Sequence, residues 1–281
     1  MRNKQWILIA TCFFLSGFAG LIYQATWASY LGLVFGTSYL AVATVLAAYM
    51  FGLAVGGFLA SVYLSRIKYP VRVYGFLEGG IALSALAVPF LIAIAQGIYF
   101  EVYGSQPVPV SAQGMSQPVF FLMASFLILL VPTVAMGATL PLLARYIIKT
   151  SDDIGPGVGA LYFINTLGAV MGVLVAGFAL LPTLGLRATT LVAVAINGLI
   201  FVLMALNAKD FSKPIKTPSN NNSAPSWHPI YAVSMAIGIV SFSLEVYWTR
   251  LLSHIMGGTS FAFAIMLGSF LSGIAVGGGI G

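Results

Sequence analysis

Runs of about 20 consecutive apolar residues, the length a helix needs to cross a bilayer core about 30 Å thick, recur from one end of this chain to the other. They cover approximately residues 7 to 28, 38 to 64, 72 to 99, 119 to 146, 158 to 182, 188 to 206, 230 to 251 and 258 to 281. Only 6% of the residues are charged and 60% are apolar, where a soluble domain carries about 25% charge. The pattern predicts an all-α integral membrane protein, a polytopic helical bundle of about eight spans. The leading residues MRNKQW set Arg2 and Lys4 before the first apolar run. No small-residue cleavage site followed by a polar domain comes after it, so the run reads as a retained first span and not as a secretory signal.

The breaks between runs carry turn chemistry. Residues 104 to 118 are rich in Gly, Pro, Ser and Gln, residues 151 to 156 form a short turn, and 212 to 228 hold three prolines and three asparagines. The last break divides the chain into a first six-helix half (1–206), a linker (207–228) and the start of a second half (229–281). With a cytoplasmic N-terminus, alternate loops receive Arg2, Lys4, Arg66, Lys68, Arg72, Arg145, Lys149, Lys209, Lys213 and Lys216. Only Arg187 and Arg250, of 12 Lys and Arg in all, then fall outside. The bias satisfies the positive-inside rule. It puts the linker in the cytoplasm and the 104 to 118 loop on the far side. The net charge of +6 is spread singly or in pairs beside apolar runs, which fits lipid orientation and excludes a nucleic-acid surface. Cys12 is the single cysteine, so neither a disulfide framework nor a metal cluster is expected.

The chain repeats itself. Shifting it by the 221 positions that separate Trp27 from Trp248 aligns twelve identities without a gap: Gly17, Trp27, Leu31, Gly36, Ala41, Ala43, Leu46, Gly52, Ala54, Val55, Gly56 and Gly57. Six spans lie between the copies, an even number, so both face the same way, as in transporter halves related by an axis along the membrane normal. A complete second half would need about four more helices, so the chain is expected to belong to a longer protein.

Small residues at spacing four let helix backbones approach in lipid, where packing drives association. Gly52 and Gly56, Gly168 and Gly172 with Ala176, and Gly273, Gly277 and Gly281 have that spacing. The closing string AVGGGIG is therefore read as a packing face. A phosphate-cradling glycine loop would have to follow a strand and open a helix.

Polar residues inside spans are the candidates for function, because burying a charge in a bilayer costs several kcal/mol. Glu245 lies in the seventh span, with Trp248 one turn on and Arg250 beyond; it is either a proton or cation site or an ion pair with Arg250. Its repeat partner is Gln24. Glu78, near Arg66, Lys68 and Arg72, reads more readily as an interfacial ion pair. His254 falls in the turn after Arg250 and suits an interface better than a ligand set. Pro132 and Pro141 bracket Thr-Val-Ala-Met-Gly-Ala-Thr-Leu in one span, where freed carbonyls could line a pathway or simply kink the helix. Asn165 and Asn197 could line the same cavity or bond across helices. There is no Gly-x-Ser-x-Gly elbow, P-loop or metal-site spacing, so no catalytic, cofactor-binding or metal residue is assigned.

Several motifs resemble one family. Leu15-Ser-Gly-Phe-Ala-Gly-Leu-Ile-Tyr-Gln24 with Trp27, Phe35-Gly-Thr-Ser38, Val45 to Ala48, Gly52-Leu-Ala-Val-Gly56, Tyr74-Gly-Phe-Leu-Glu78 and Met136-Gly-Ala-Thr-Leu-Pro141 are similar to the membrane region of bacterial fused MFS/spermidine synthase proteins. So are Leu161 to Ala169, Leu181-Pro-Thr-Leu-Gly-Leu-Arg187 and Leu244-Glu-Val-Tyr-Trp-Thr-Arg250. The resemblance implies a bacterial inner-membrane protein whose spans anchor or serve a separate or C-terminal aminopropyltransferase domain of polyamine synthesis. No residue of such a domain occurs here, and the first copy has Gln24 and Ser29 where the signature has Glu and Arg. It also implies likeness to half of a major facilitator transporter, although the acidic residue usual after the second helix is missing between Ser61 and Lys68. The alternatives are a stand-alone secondary transporter of a small cationic or amphipathic solute, such as a polyamine, and a membrane scaffold.

Overall fold

A computed structural model of the chain describes residues 3–35, 39–104, 116–148, 154–211, 228–257 and 260–280. The expected far-side loop at 105–115, the turn at 151–153 and the linker at 212–227 lie outside the described residues, as do Arg2, Gly36, Lys149, Lys213, Lys216 and Gly281.

Among the described residues the regular structure is helical throughout, without strands. The helices are α1 (Asn3–Phe35), α2 (Tyr39–Tyr63), α3 (Pro70–Tyr103), α4 (Ser116–Ile147), α5 (Ile154–Val175), α6 (Leu181–Leu206), α7 (His228–Met256) and α8 (Ser260–Ile280). Seven helical segments are long and apolar enough to cross a membrane. One of them, Gly155–Leu206, runs for 52 residues through α5 and α6. A straight helix of that length would measure about 78 Å at 1.5 Å per residue, more than twice a bilayer core. It is not straight. Gly185 interrupts it at φ 73° and ψ 178°, a conformation glycine adopts without a Cβ penalty.

The contacts fix the directions of the helices. Asn165 meets Phe13, Gly168 meets Phe14 and Gly172 meets Phe18; numbers rise together, so α5 runs with α1. Gln5, at the start of α1, donates to the carbonyl of Asp210 just past α6 at 2.9 Å. Arg72, at the start of α3, donates to Ala208 through Nη2 at 3.1 Å. The end of α6 therefore lies beside the starts of α1 and α3, so α6 runs against both. The chain reverses between α5 and α6, where the sequence reading had only a short polar break.

Small residues make the closest packing, as their spacing predicts. A Cβ at Gly56 would strike the Val134 carbonyl, one at Gly137 the Leu53 carbonyl, and one at Gly52 the Thr133 side chain. These three positions zip α2 to α4. Gly168 and Gly172 do the same for α5 against α1. The third set behaves otherwise: Gly273 and Gly277 have nothing within 4 Å, because among the described residues no helix covers that face of α8. A π-helical turn at Ala176–Leu180 marks where α8 crosses α5, with Gly177 against Ala264.

The zip of α2 onto α4 involves the segment Pro132 to Pro141, read from sequence as either a pathway or a plain kink. This region contains the contacts of Thr133, Val134 and Gly137 with α2, so that face meets backbone and not a cavity. The Thr133 and Thr139 hydroxyls donate to the carbonyls of Leu129 and Met136, each at 2.6 Å. Those bonds lie next to the carbonyls that the prolines release.

Large apolar side chains cover the outside. Leu33, Leu83 and Phe90 are each 72% exposed, an arrangement that suits hydrocarbon and would be costly in water. Inside, one core gathers Tyr23, Trp27, Ile81, Val88 and Leu129, and a second gathers Cys12, Phe13, Tyr74, Leu161 and Ile200. Helix α1 supplies residues to both.

Candidate functional site

A carboxylate sits where the two cores meet. Glu78 lies eight residues after Pro70, about 12 Å along α3 at the helical rise, and is 0% exposed. Its Oε2 accepts a hydrogen bond from Asn197 Nδ2 across the α3/α6 contact. Its other polar neighbours are Ser16 of α1 and Tyr74, one turn earlier on α3. Among the described residues no lysine or arginine joins them.

This corrects the expected interfacial ion pair. Arg72 is turned away, stacked over the Tyr69 ring at 5.0 Å and bonded to the Ala208 carbonyl, while Arg66 lies over Tyr63. The helix starts at Pro70 rather than 72, and the side chain of Glu78 faces α1 and α6. Position in sequence suggested a headgroup neighbour; the helical phase aims the side chain inward.

The cluster is under-satisfied. Glu78 Oε1, Asn197 Oδ1 and the Tyr74 hydroxyl are buried without a hydrogen-bond partner, and each such atom costs about 1–3 kcal/mol. A carboxylate surrounded by neutral groups in hydrocarbon demands a companion, a proton or a cation, because isolated charge at that depth is expensive. The residues present supply one carboxylate, one amide and two hydroxyls, a set suited to holding a proton or a cation. Among the described residues no group of three or more His, Cys, Asp and Glu could hold a metal ion.

The other candidates are scattered. Asn165 donates to the Phe13 carbonyl at 2.9 Å, so it bonds α5 to α1, while Asn197 is engaged with Glu78. Gln24 is 1% exposed with its Nε2 unpartnered. Glu245, its repeat partner, is 3% exposed with Oε1 unpartnered, although Trp248 on the same helix is 48% exposed. Both repeat positions thus bury a polar side chain. Arg250 and His254 are exposed, and Pro132 is buried.

Three residues of the cluster's surroundings were not singled out from sequence: Ser16, Tyr23 and Tyr74. The signal was there, inside the quoted motifs. Ser16, Tyr23 and Trp27 fall at steps of seven and four, one face of a helix, and Tyr74 precedes Glu78 by one turn.

Comparison with protein-family models, with curated proteins and with solved structures finds no match to this chain.

Proposed function

We propose that the chain is the membrane region of a secondary-transporter-like protein, with Glu78 as its proton- or cation-binding group. The observation that carries this reading is the wholly buried Glu78, held by Asn197 from another helix and lacking a cationic partner. A protein that only needed a stable scaffold would gain by replacing the pair with apolar side chains. The reading includes eight crossings, with the chain reversing at Gly185, a cytoplasmic N-terminus from the distribution of Lys and Arg, and a bacterial inner membrane from the family resemblance. The solute is a small cation or amphipathic amine.

The test is uptake of labelled putrescine and spermidine into vesicles carrying the full protein. Glu78→Gln keeps the shape and the hydrogen bond to Asn197, and is expected to reduce uptake at least tenfold. Uptake unchanged by this variant would remove Glu78 from the function.

A second reading is favoured by Leu244-Glu-Val-Tyr-Trp-Thr-Arg250 and the other family-like motifs. In it, the helices anchor or feed an aminopropyltransferase domain. Reading the gene beyond Gly281 discriminates: four further spans followed by a soluble α/β domain favour this reading, and an early stop opposes it.

A further inference from the structure

Glu78 Oε1 is not the only buried polar atom left without a partner. Along α1 the Tyr23 hydroxyl, Gln24 Nε2, Trp27 Nε1 and Tyr30 hydroxyl are all buried and unpartnered, and Tyr23, Gln24 and Trp27 are at most 1% exposed. Four orphans on one helix, at about 1–3 kcal/mol each, would cost a marginally stable protein much of its stability. Nor are they scattered. At 100° per residue, Ser16, Tyr23, Trp27 and Tyr30 fall within an arc of roughly 60°, with Gln24 about 60° further round. From Ser16 to Tyr30 the face rises about 21 Å.

The face starts at the carboxylate. Ser16 is a polar neighbour of Glu78, and the Tyr23 phenol lies within electrostatic range of it. The Tyr23 and Trp27 rings then stack at 5.0 Å between centroids and 17° between planes, and Trp27 approaches Tyr49 at 6.4 Å. Tyr49 closes one side by donating its hydroxyl to the Gly20 carbonyl at 3.1 Å. The titratable groups facing Glu78 are Cys12 and Tyr23 of α1 and Tyr74 of its own helix; α6 contributes the neutral Asn197.

We propose that this face of α1 is a water file through which Glu78 exchanges a proton with the membrane side where α1 ends. Waters that take two to four polar partners each satisfy the orphan atoms, and the hydroxyls of Ser16, Tyr23 and Tyr30 pass the proton between them. Trp27 Nε1 can only donate, so it orients a water without relaying. The proposal rests on the carrier reading and makes the coupling ion a proton.

Two measurements on the full chain in proteoliposomes test it. In a Cys12→Ser background, Gln24→Cys and Tyr30→Cys are expected to react with a small charged methanethiosulfonate about tenfold or more faster than Leu83→Cys on the lipid face, because the thiolate forms only in water. With a pH dye inside, Glu78→Gln and Tyr23→Phe are each expected to slow dissipation of an imposed pH gradient at least fivefold. Tyr23→Phe removes one oxygen atom and keeps the stacked ring, so it covers the case in which Glu78→Gln fails to fold. Thiols as inert as that at position 83, or proton flux indifferent to both variants, would overturn the file. Reactive thiols and Glu78-dependent proton flux without any amine uptake would keep the file and remove the carrier reading. Glu78-dependent uptake with inert thiols would do the reverse.

Discussion

Replacing Gly172 with alanine tests the packing logic of the bundle at one atom. The new Cβ would stand 2.9 Å from both the carbonyl carbon and the Cα of Phe18, and closer to the carbonyl oxygen. Ordinary contact begins at 3.4 Å, so α5 must withdraw from α1 by at least 3.4 − 2.9 = 0.5 Å. A gap of that size forfeits about a quarter of the dispersion energy of the contacts it opens, and overpacking of this kind costs roughly 1–3 kcal/mol. Alanine returns up to about 1 kcal/mol of helix propensity, leaving a net loss of about 1–2 kcal/mol. For a chain of this size that corresponds to a fall in Tm of roughly 2–8 °C. Gly80→Ala is the matched control, since nothing lies within 4 Å of its Cβ position, and its Tm should hold or rise. The assay is built into the protein: Cys12 is the only cysteine and is 0% exposed. A thiol-reactive dye therefore reports its exposure on heating. Equal Tm values for the two variants would refute the claim that glycine at 172 is there for close approach.

Three further outcomes follow from the same geometry. Asn197→Ala strips the Glu78 carboxylate of its amide donor and should cost about 2–3 kcal/mol; Glu78→Leu combined with Asn197→Leu should recover most of it, both read by Cys12 exposure. Gly185→Ala forces an L side chain to φ 73° at a cost of about 1–2 kcal/mol, so the variant should unfold earlier than Gly198→Ala, whose Cβ position is open. For orientation, alkaline phosphatase fused after residue 110 should be active and a fluorescent protein fused after residue 220 should be fluorescent in the cytoplasm; the opposite pair would invert the proposed topology.

The helices were legible because hydrocarbon imposes a one-dimensional rule. A span must be about 20 apolar residues long whatever it packs against, so α1 to α8 fall on the expected segments and extend past most of them into the polar margins. The paired glycines of α2 and α5 were legible for a similar reason, their spacing being a local property. Glu78 was misread because its partners come from elsewhere: Ser16 lies 62 residues before it (78 − 16) and Asn197 119 residues after. Pro132 to Pro141 stayed open for the same reason. A broken-helix motif looks alike whether its freed carbonyls meet a cavity or another helix, and the arrival of Gly52 and Gly56 from α2 shows what one of its faces meets.

The central position of α1 has a consequence for how the protein is made. It leaves the ribosome first, yet Asn165, which bonds to its Phe13 carbonyl, follows 152 residues later, and Asp210, which receives Gln5, 205 residues later. At a synthesis rate of about 5–20 residues per second, the first of these partners emerges roughly 8–30 s after α1. For that interval the side of α1 at Phe13, Phe14 and Phe18, which α5 will cover, has no helix to meet. It must wait at the insertion machinery or against lipid, so closure of the bundle waits on the fifth and sixth helices although α2, α3 and α4 have already emerged.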